Sequence, residues 1–360
     1  MNTAFISDCE GPISKNDNAF ELTSHFVPYG DKIFTVISRY DDVLADVLKK
    51  PDYKPGTTLK LILPFLKAYG VTDQKMENFS AQNLTLISNV QTTLQYIQTI
   101  APAFIVSTSY EHYIKKLCNF LPFPYQNTYC TKLRIDNFPL ENHEKNKLRQ
   151  LAEEISHMPL FEIPPGSDSL EDFPEEHKRT IERLDRIFWT IIINMEVGVL
   201  LDEVHPVGGV EKADAIEDAA TRAGLHLSNV LYVGDSITDV DAFSLVKKNG
   251  GLTVSFNGNE YAIENAEIAV LSQTSLITAV IVDLFSTYGR QETLNLLKNW
   301  APEMLKKSNL DSSLLNSLLT TYPNELPKVE VITEDNKRSL AEESTKFRKE
   351  VRGEGVGRLG

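Results

Sequence analysis

Four carboxylates and one lysine hold the chemical interest of this sequence, and each stands where an apolar run stops or a helix begins. Asp8 and Glu10 follow the run Ala4-Phe5-Ile6, one residue apart, just before Gly11-Pro12 ends it. Strand residues two apart share a face, so both acids can address one point. Asp235 and Asp239 flank the turn after Asn229–Val233, where Gly234 lets the backbone come close. Lys212 falls in the first turn of a helix opened by Gly208-Gly209. A cation there opposes the helix dipole at a cost of about 0.3–1 kcal/mol, which Glu211 and Asp214 offset in part. Ser107-Thr108-Ser109 closes another run, Ala103–Val106, and offers hydroxyls and free N–H groups to an anion. Each feature also has a plain reading. Asp8 and Glu10 are then solvated turn acids, Ser109 or Thr108 and Asp239 are helix caps, and Lys212 is a solvated lysine.

If the strands are neighbours, the acids crowd together. Two like charges about 4 Å apart cost about 4 kcal/mol at an effective dielectric near 20, so such a cluster needs a cation or raised pKa values. An all-oxygen ligand set with few protein donors suits Mg²⁺, which keeps waters and takes a phosphate oxygen. With Lys212 as a second positive charge and Ser107 as a neutral donor, the set describes a socket for a phosphoryl group beside an aspartate nucleophile. Aspartates do form phosphorylated intermediates.

The elements that must bring these residues together are short strands, apolar throughout and therefore buried on both faces. That pattern reads as an open α/β sheet, which binds ligands at the C-terminal ends of its strands. Helical spacing covers most of the stretch between the first two strands, including Asp31–Lys49, Thr58–Tyr69 and Leu84–Ile97. A second interruption holds a strand or hairpin over Thr128–Ile135 and a helix over Pro174–Met195. The resulting division is a sheet core of 1–11, 101–122 and 207–285, a helical cap of 12–100 and an insertion of 123–206. C-terminal helices follow over 286–326, and then a charged, flexible tail over 327–360, with a helix at most around Ser339–Val351. Arg39 pairs with Asp41 or Asp42, or reaches a substrate anion.

The chain has 360 residues and a net charge of -14, which repels nucleic-acid backbones. Three cysteines, Cys9, Cys118 and Cys130, have no metal or disulfide spacing and fit a reducing cytosol. No signal peptide or bilayer-length apolar run is visible. The expectation is a cytoplasmic protein without nucleic-acid or membrane partners; a protein partner or homo-oligomer is left open.

Taken in order, Asp8-Cys9-Glu10-Gly11, Ser107, Lys212 and Gly234-Asp235-Ser236-Ile237-Thr238-Asp239 resemble the four motifs of the haloacid dehalogenase (HAD) superfamily. The helices before the second motif resemble the cap of phosphoserine phosphatase-like members. The whole chain is similar to an archaeal group of predicted HAD phosphatases, some associated with an energy-converting hydrogenase. The resemblance implies an HAD-like Rossmannoid parallel sheet with a helical cap subdomain and a second, mostly helical insertion. It also implies Mg²⁺-dependent hydrolysis of a small phosphorylated metabolite through an aspartyl-phosphate. Asp8 is then the nucleophile and Glu10 the general acid and base, its backbone carbonyl touching Mg²⁺. Ser107 and Thr108 bind the phosphoryl group, Lys212 neutralises it, and Asp235 and Asp239 complete the metal site with Asp8 and Glu10. Glu10 departs from the usual second aspartate by one methylene. A non-catalytic scaffold or complex subunit, or a small-molecule phosphotransferase, is the alternative.

Overall fold

The computed structural model describes every residue except Met1, Asp52, Pro165, Arg358 and Gly360. Seven strands form one sheet: β1 (Ala4–Ser7), β2 (Ala103–Tyr110), β3 (Thr128–Thr131), β4 (Val230–Gly234), β5 (Leu252–Phe256), β6 (Ile268–Leu271) and β7 (Lys328–Val331). Their spatial order is β3-β2-β1-β4-β5-β6-β7. The first six are parallel and β7 closes the edge antiparallel to β6. The chain order reverses at β1, where β2 lies on one side and β4 on the other, and that crevice is where an open sheet takes its ligand.

Side-chain alternation divides the core into two layers. Phe5, Ile105, Leu231, Val233 and Val254 face the helices Val90–Ile100, Glu111–Phe120 and Leu276–Leu297. Ala4, Ile6, Phe104, Val230 and Tyr232 face the helices Val210–Arg222 and Val240–Lys248. Burial on both faces explains why the strands read as apolar runs without alternation. This is a Rossmannoid, mostly parallel sheet with helical insertions, the architecture expected from the sequence. Among the described residues, no helix is long and apolar enough to cross a membrane.

The two interruptions form one body rather than two. Ile33, Ile37, Tyr40, Phe65 and Leu66 from the first share an apolar core with Leu148, Leu151, Ile155, Leu184 and Phe188 from the second. Phe188 lies with its ring centroid 5.9 Å from Tyr40 and 6.2 Å from Phe65. An amphipathic helix such as Asn142–Ser156 cannot bury its apolar stripe alone, and the first insertion supplies the matching face.

Several boundaries shift. The helix Val90–Ile100, inside the expected cap, packs under the sheet instead. The cap's two connections run side by side, with Lys15 N donating to Thr85 O at 2.8 Å and Ile87 N to Ile13 O at 3.0 Å. β2 continues to Tyr110, past the expected end at Val106, because Ser107 still pairs with Cys130 of β3. Within Thr128–Ile135 only Thr128–Thr131 is strand, parallel to β2; a 3-10 turn over Ile135–Asn137 follows, and the segment is not a hairpin. The helix from Leu276 breaks at Gly289, where φ is 71°. The charged tail is more ordered than expected: β7 joins the sheet, and the helix expected around Ser339–Val351 forms over Lys337–Arg352 and crosses the ends of the strands. Its Ser344 Oγ donates to Gly258 O at 2.6 Å, and Leu340 packs beside Ile263 and Leu271.

Candidate active site

β1 stops at Ser7 because the next residues turn back on themselves. Asp8 N still donates to Val233 O at 2.8 Å, and Gly11, at φ 110°, donates to Ser14 O at 2.7 Å. A β-carbon on Gly11 would lie 2.2 Å from Asp235 Oδ2, so only glycine lets this turn sit against the acid opposite. Asp8 Oδ1 accepts from Cys9 N at 2.6 Å. Its Oδ2 accepts from Lys212 Nζ at 2.6 Å.

Lys212 is wholly buried, and its amine is shared between Asp8 and Asp239 Oδ1, the latter at 2.7 Å. The first-turn cation thus has a carboxylate on each side. Gly209, at φ 59°, starts the lysine's helix and donates to Thr238 O at 3.0 Å, which ties that helix to the turn holding Asp239.

Asp239 is saturated. Oδ1 also accepts from Tyr232 OH at 2.6 Å, and Oδ2 accepts from Asp235 N at 2.9 Å and Ser236 N at 3.0 Å. Gly234 makes room for it, since a β-carbon there would meet Asp239 Cγ at 2.5 Å. Asp235 differs, because its carboxylate is met by Arg348 and Arg352. Oxygens of Asp8, Asp235 and Asp239 all lie within 4.8 Å of one another. A compact all-oxygen set of this kind fits a hard divalent cation.

Glu10 Oε1 accepts from Asn18 N at 2.7 Å, at the start of the first cap helix. Asp17 caps that helix by accepting from Phe20 N at 2.9 Å. Burial, then the neighbouring Asp17, push the Glu10 carboxyl well above its ordinary range, against the pull of the Asn18 N–H and Arg352. Burial likewise pushes Asp8 up to about 7 while Lys212 pulls it down. Burial alone would lower Lys212, but Asp239 and Asp8 reverse this and hold its amine above the usual lysine range. Although burial opposes it, Lys212 and the bonds from Tyr232 and Asp235 N hold Asp239 below its usual value.

A cavity of about 90 Å³ opens over these groups, lined among others by Asp8, Glu10, Asp17, Thr108, Asp235 and Arg348. The cap closes it from above. Asp41 accepts from Thr58 N at 2.9 Å and Gly56 N at 3.2 Å, which fixes the loop that lies against Thr108 and Gly208. Arg39 pairs with Asp42 at 3.3 Å.

The sheet therefore brings Asp8, Lys212, Asp235 and Asp239 into one cluster, with Glu10 at the same cavity. Thr108 lines that cavity; Ser107 is buried and its Oγ accepts from Ser109 N at 3.2 Å. Asp17, Tyr232, Arg348 and Arg352 were not singled out from the sequence. Asp17 stands in plain view as a helix cap, and Tyr232 is hidden inside an apolar strand. The two arginines belong to a helix whose charges look solvated from sequence alone.

No protein-family model matches the sequence, and no curated protein matches it. The solved structure of gene product AF1437 from Archaeoglobus fulgidus is similar at 22% identity and a TM-score of 0.77, over 100% of this chain and 99% of that one. An apo phosphoserine phosphatase is more distant, at 13% identity and a TM-score of 0.41, over 81% of this chain and 100% of that one. A haloacid dehalogenase-like protein from Agrobacterium tumefaciens stands at 15% identity and a TM-score of 0.33, over 78% of this chain and 98% of that one. The AF1437 likeness is one of fold, and it extends over the whole length of both chains.

Proposed function

We propose that this chain is an HAD-type phosphomonoester hydrolase that cleaves a small phosphorylated metabolite through a phosphoryl group carried on Asp8. The observation that supports it most is the buried amine of Lys212, held 2.7 Å from Asp239 Oδ1 and 2.6 Å from Oδ2 of Asp8, which lines the cavity. A lysine so placed keeps a carboxylate oriented and offsets charge where a phosphoryl group would gather it.

In this reading an Asp8 oxygen attacks phosphorus, the phosphorus–oxygen bond to the leaving group breaks, and the Glu10 carboxyl gives the leaving oxygen its proton. Glu10, now a carboxylate, takes a proton from water as that water attacks phosphorus. The bond between phosphorus and the Asp8 oxygen then breaks, releasing phosphate and restoring both acids. Lys212 offsets the charge on the transferring group, Thr108 bounds the phosphoryl pocket while Ser107 lies buried behind it, and the cap loop excludes bulk water. Asp8, Asp235 and the Glu10 backbone would hold Mg²⁺, which supplies further charge neutralisation when bound. Asp239, with both oxygens engaged, contributes as the anchor of Lys212 and shapes the turn that presents Asp235.

The second reading is a non-catalytic scaffold, and one feature favours it: two arginines already neutralise Asp235. Phosphate release from p-nitrophenyl phosphate and a panel of phosphorylated metabolites, with Mg²⁺ and with chelator, separates the two. Turnover that needs Mg²⁺ is expected, with kcat/KM falling on the alkaline side as the raised Glu10 carboxyl ionises, and that limb absent in Glu10→Gln. No turnover on any member of the panel favours the scaffold. Product release accelerated by an added alcohol identifies a phosphotransferase.

A further inference from the structure

The charge on Asp235 is not balanced by Lys212, whose amine is divided between Asp8 and Asp239. It is balanced from the far end of the chain. Arg348, 3% exposed, donates from Nη1 to the Asp235 carboxylate and, at 3.2 Å, to the Asp235 carbonyl. Arg352 Nη1 reaches the same carboxylate oxygen at 3.1 Å. The arginines also tie the helix to the cap's first connection. Arg352 Nε donates to Lys15 O at 3.1 Å, and its Nη2 donates to Asn16 O. Arg348 Nη2 donates to Leu359 O at 3.3 Å, and the Leu359 side chain sits in the cap's apolar core. One helix thus spans an acid at a strand end, the linker into the cap and the cap itself.

We propose that the helix Lys337–Arg352 is a strap whose two guanidinium groups stand in the place of a divalent cation at Asp235, so that cation binding and strap docking compete. This rests on the reading of Asp235 as an ion ligand given above. Asp235 Oδ2 lies close against Gly11 and already meets two guanidinium groups, so an ion reaching that oxygen must displace at least one of them. The converse also follows, because coupling between two ligands of one site is reciprocal. A bound ion weakens the hold of the strap on Lys15, Asn16 and the cap, and so opens the cavity that the closed strap helps to wall.

The test reads binding and docking rather than turnover. Mn²⁺ affinity is measured by titration of its free-ion spectral signal in the full chain, in Arg348→Gln and Arg352→Gln, and in Arg348→Lys as a variant that keeps charge and stem. Amide exchange over residues 337–352 is followed with and without saturating Mn²⁺. The expected result is affinity tighter by about tenfold or more in either glutamine variant, with a smaller change in Arg348→Lys, and faster exchange in the ion-loaded wild type. Equal or weaker affinity in folded glutamine variants, or exchange unchanged by Mn²⁺, overturns the strap while leaving the ion site standing. No Mn²⁺ binding in any of these proteins overturns both the strap and the ion site.

Discussion

Lys212→Met is expected to remove phosphatase turnover and to destabilise the fold by about 3–5 kcal/mol near neutral pH, the range for breaking a buried ion pair by deleting one partner. Methionine fills much of the same space, so lost packing is a small part of this. The larger part is charge. Asp8 and Asp239 lie in the interior, are 5% and 0% exposed, and would face each other and Asp235 without the amine. The pH dependence has a definite sign. In the wild type, Asp239 titrates below its usual value and Lys212 above its own, so the pair stabilises from above the unfolded carboxylate range to below the unfolded lysine range. Without the lysine, burial is left to push both acids upward, and the folded state then binds more protons than the unfolded one. The deficit in the variant should therefore shrink as pH falls from 8 towards 5. Urea unfolding of both proteins at the two pH values measures it; a deficit independent of pH would falsify the charge argument.

Asp8→Asn should separate chemistry from folding. The amide keeps the shape of the carboxylate, but its single oxygen can replace only one of the two acceptors, so either Cys9 N or Lys212 Nζ loses its bond to this side chain. Lys212 retains Asp239, and one negative charge leaves a crowded cluster, which offsets the lost bond in part, so the stability cost should be about 1–3 kcal/mol, less than that of Lys212→Met. Turnover should fall at least about 10⁴-fold, the scale seen when a residue acting as the covalent nucleophile is removed. Steady-state hydrolysis alongside a urea unfolding curve decides between outcomes. A folded Asp8→Asn that retains more than about one per cent of wild-type kcat/KM assigns the attack to another group.

The legibility of this molecule follows from which constraints are local. Asp8, Asp235 and Lys212 are readable because a buried parallel strand has only one way to look in sequence, and the residues after it can only sit at its C-terminal end. Gly11 and Gly234 strengthen this, because each marks a place where a second carboxylate presses on the backbone. The end of β2 is less readable. Ser107-Thr108-Ser109 has turn-like residue types, yet the pairing with β3 keeps the chain extended through Tyr110. Tertiary pairing overrides local preference there.

The arginines were illegible for a different reason. Leu340, Ser344 and Arg348 are buried at successive four-residue steps along the helix Lys337–Arg352, a stripe with a single apolar member. Helical periodicity is read from apolar residues, so a stripe that buries a hydroxyl and a guanidinium leaves no signal. The merger of the two interruptions into one cap body was hidden in the same way. Each has apolar stripes that demand a partner, and nothing local says that Leu148 and Phe188 meet Ile37 and Phe65.

The most direct test concerns a bond. Wild-type protein turning over a phosphomonoester with Mg²⁺ is quenched in acid and reduced with borohydride, which converts an acyl phosphate on aspartate to homoserine. Peptide mapping should find homoserine at position 8 and at no other aspartate. Active protein in which position 8 is never modified, or in which the modification falls elsewhere, contradicts the phosphoryl transfer to Asp8 on which the whole reading depends.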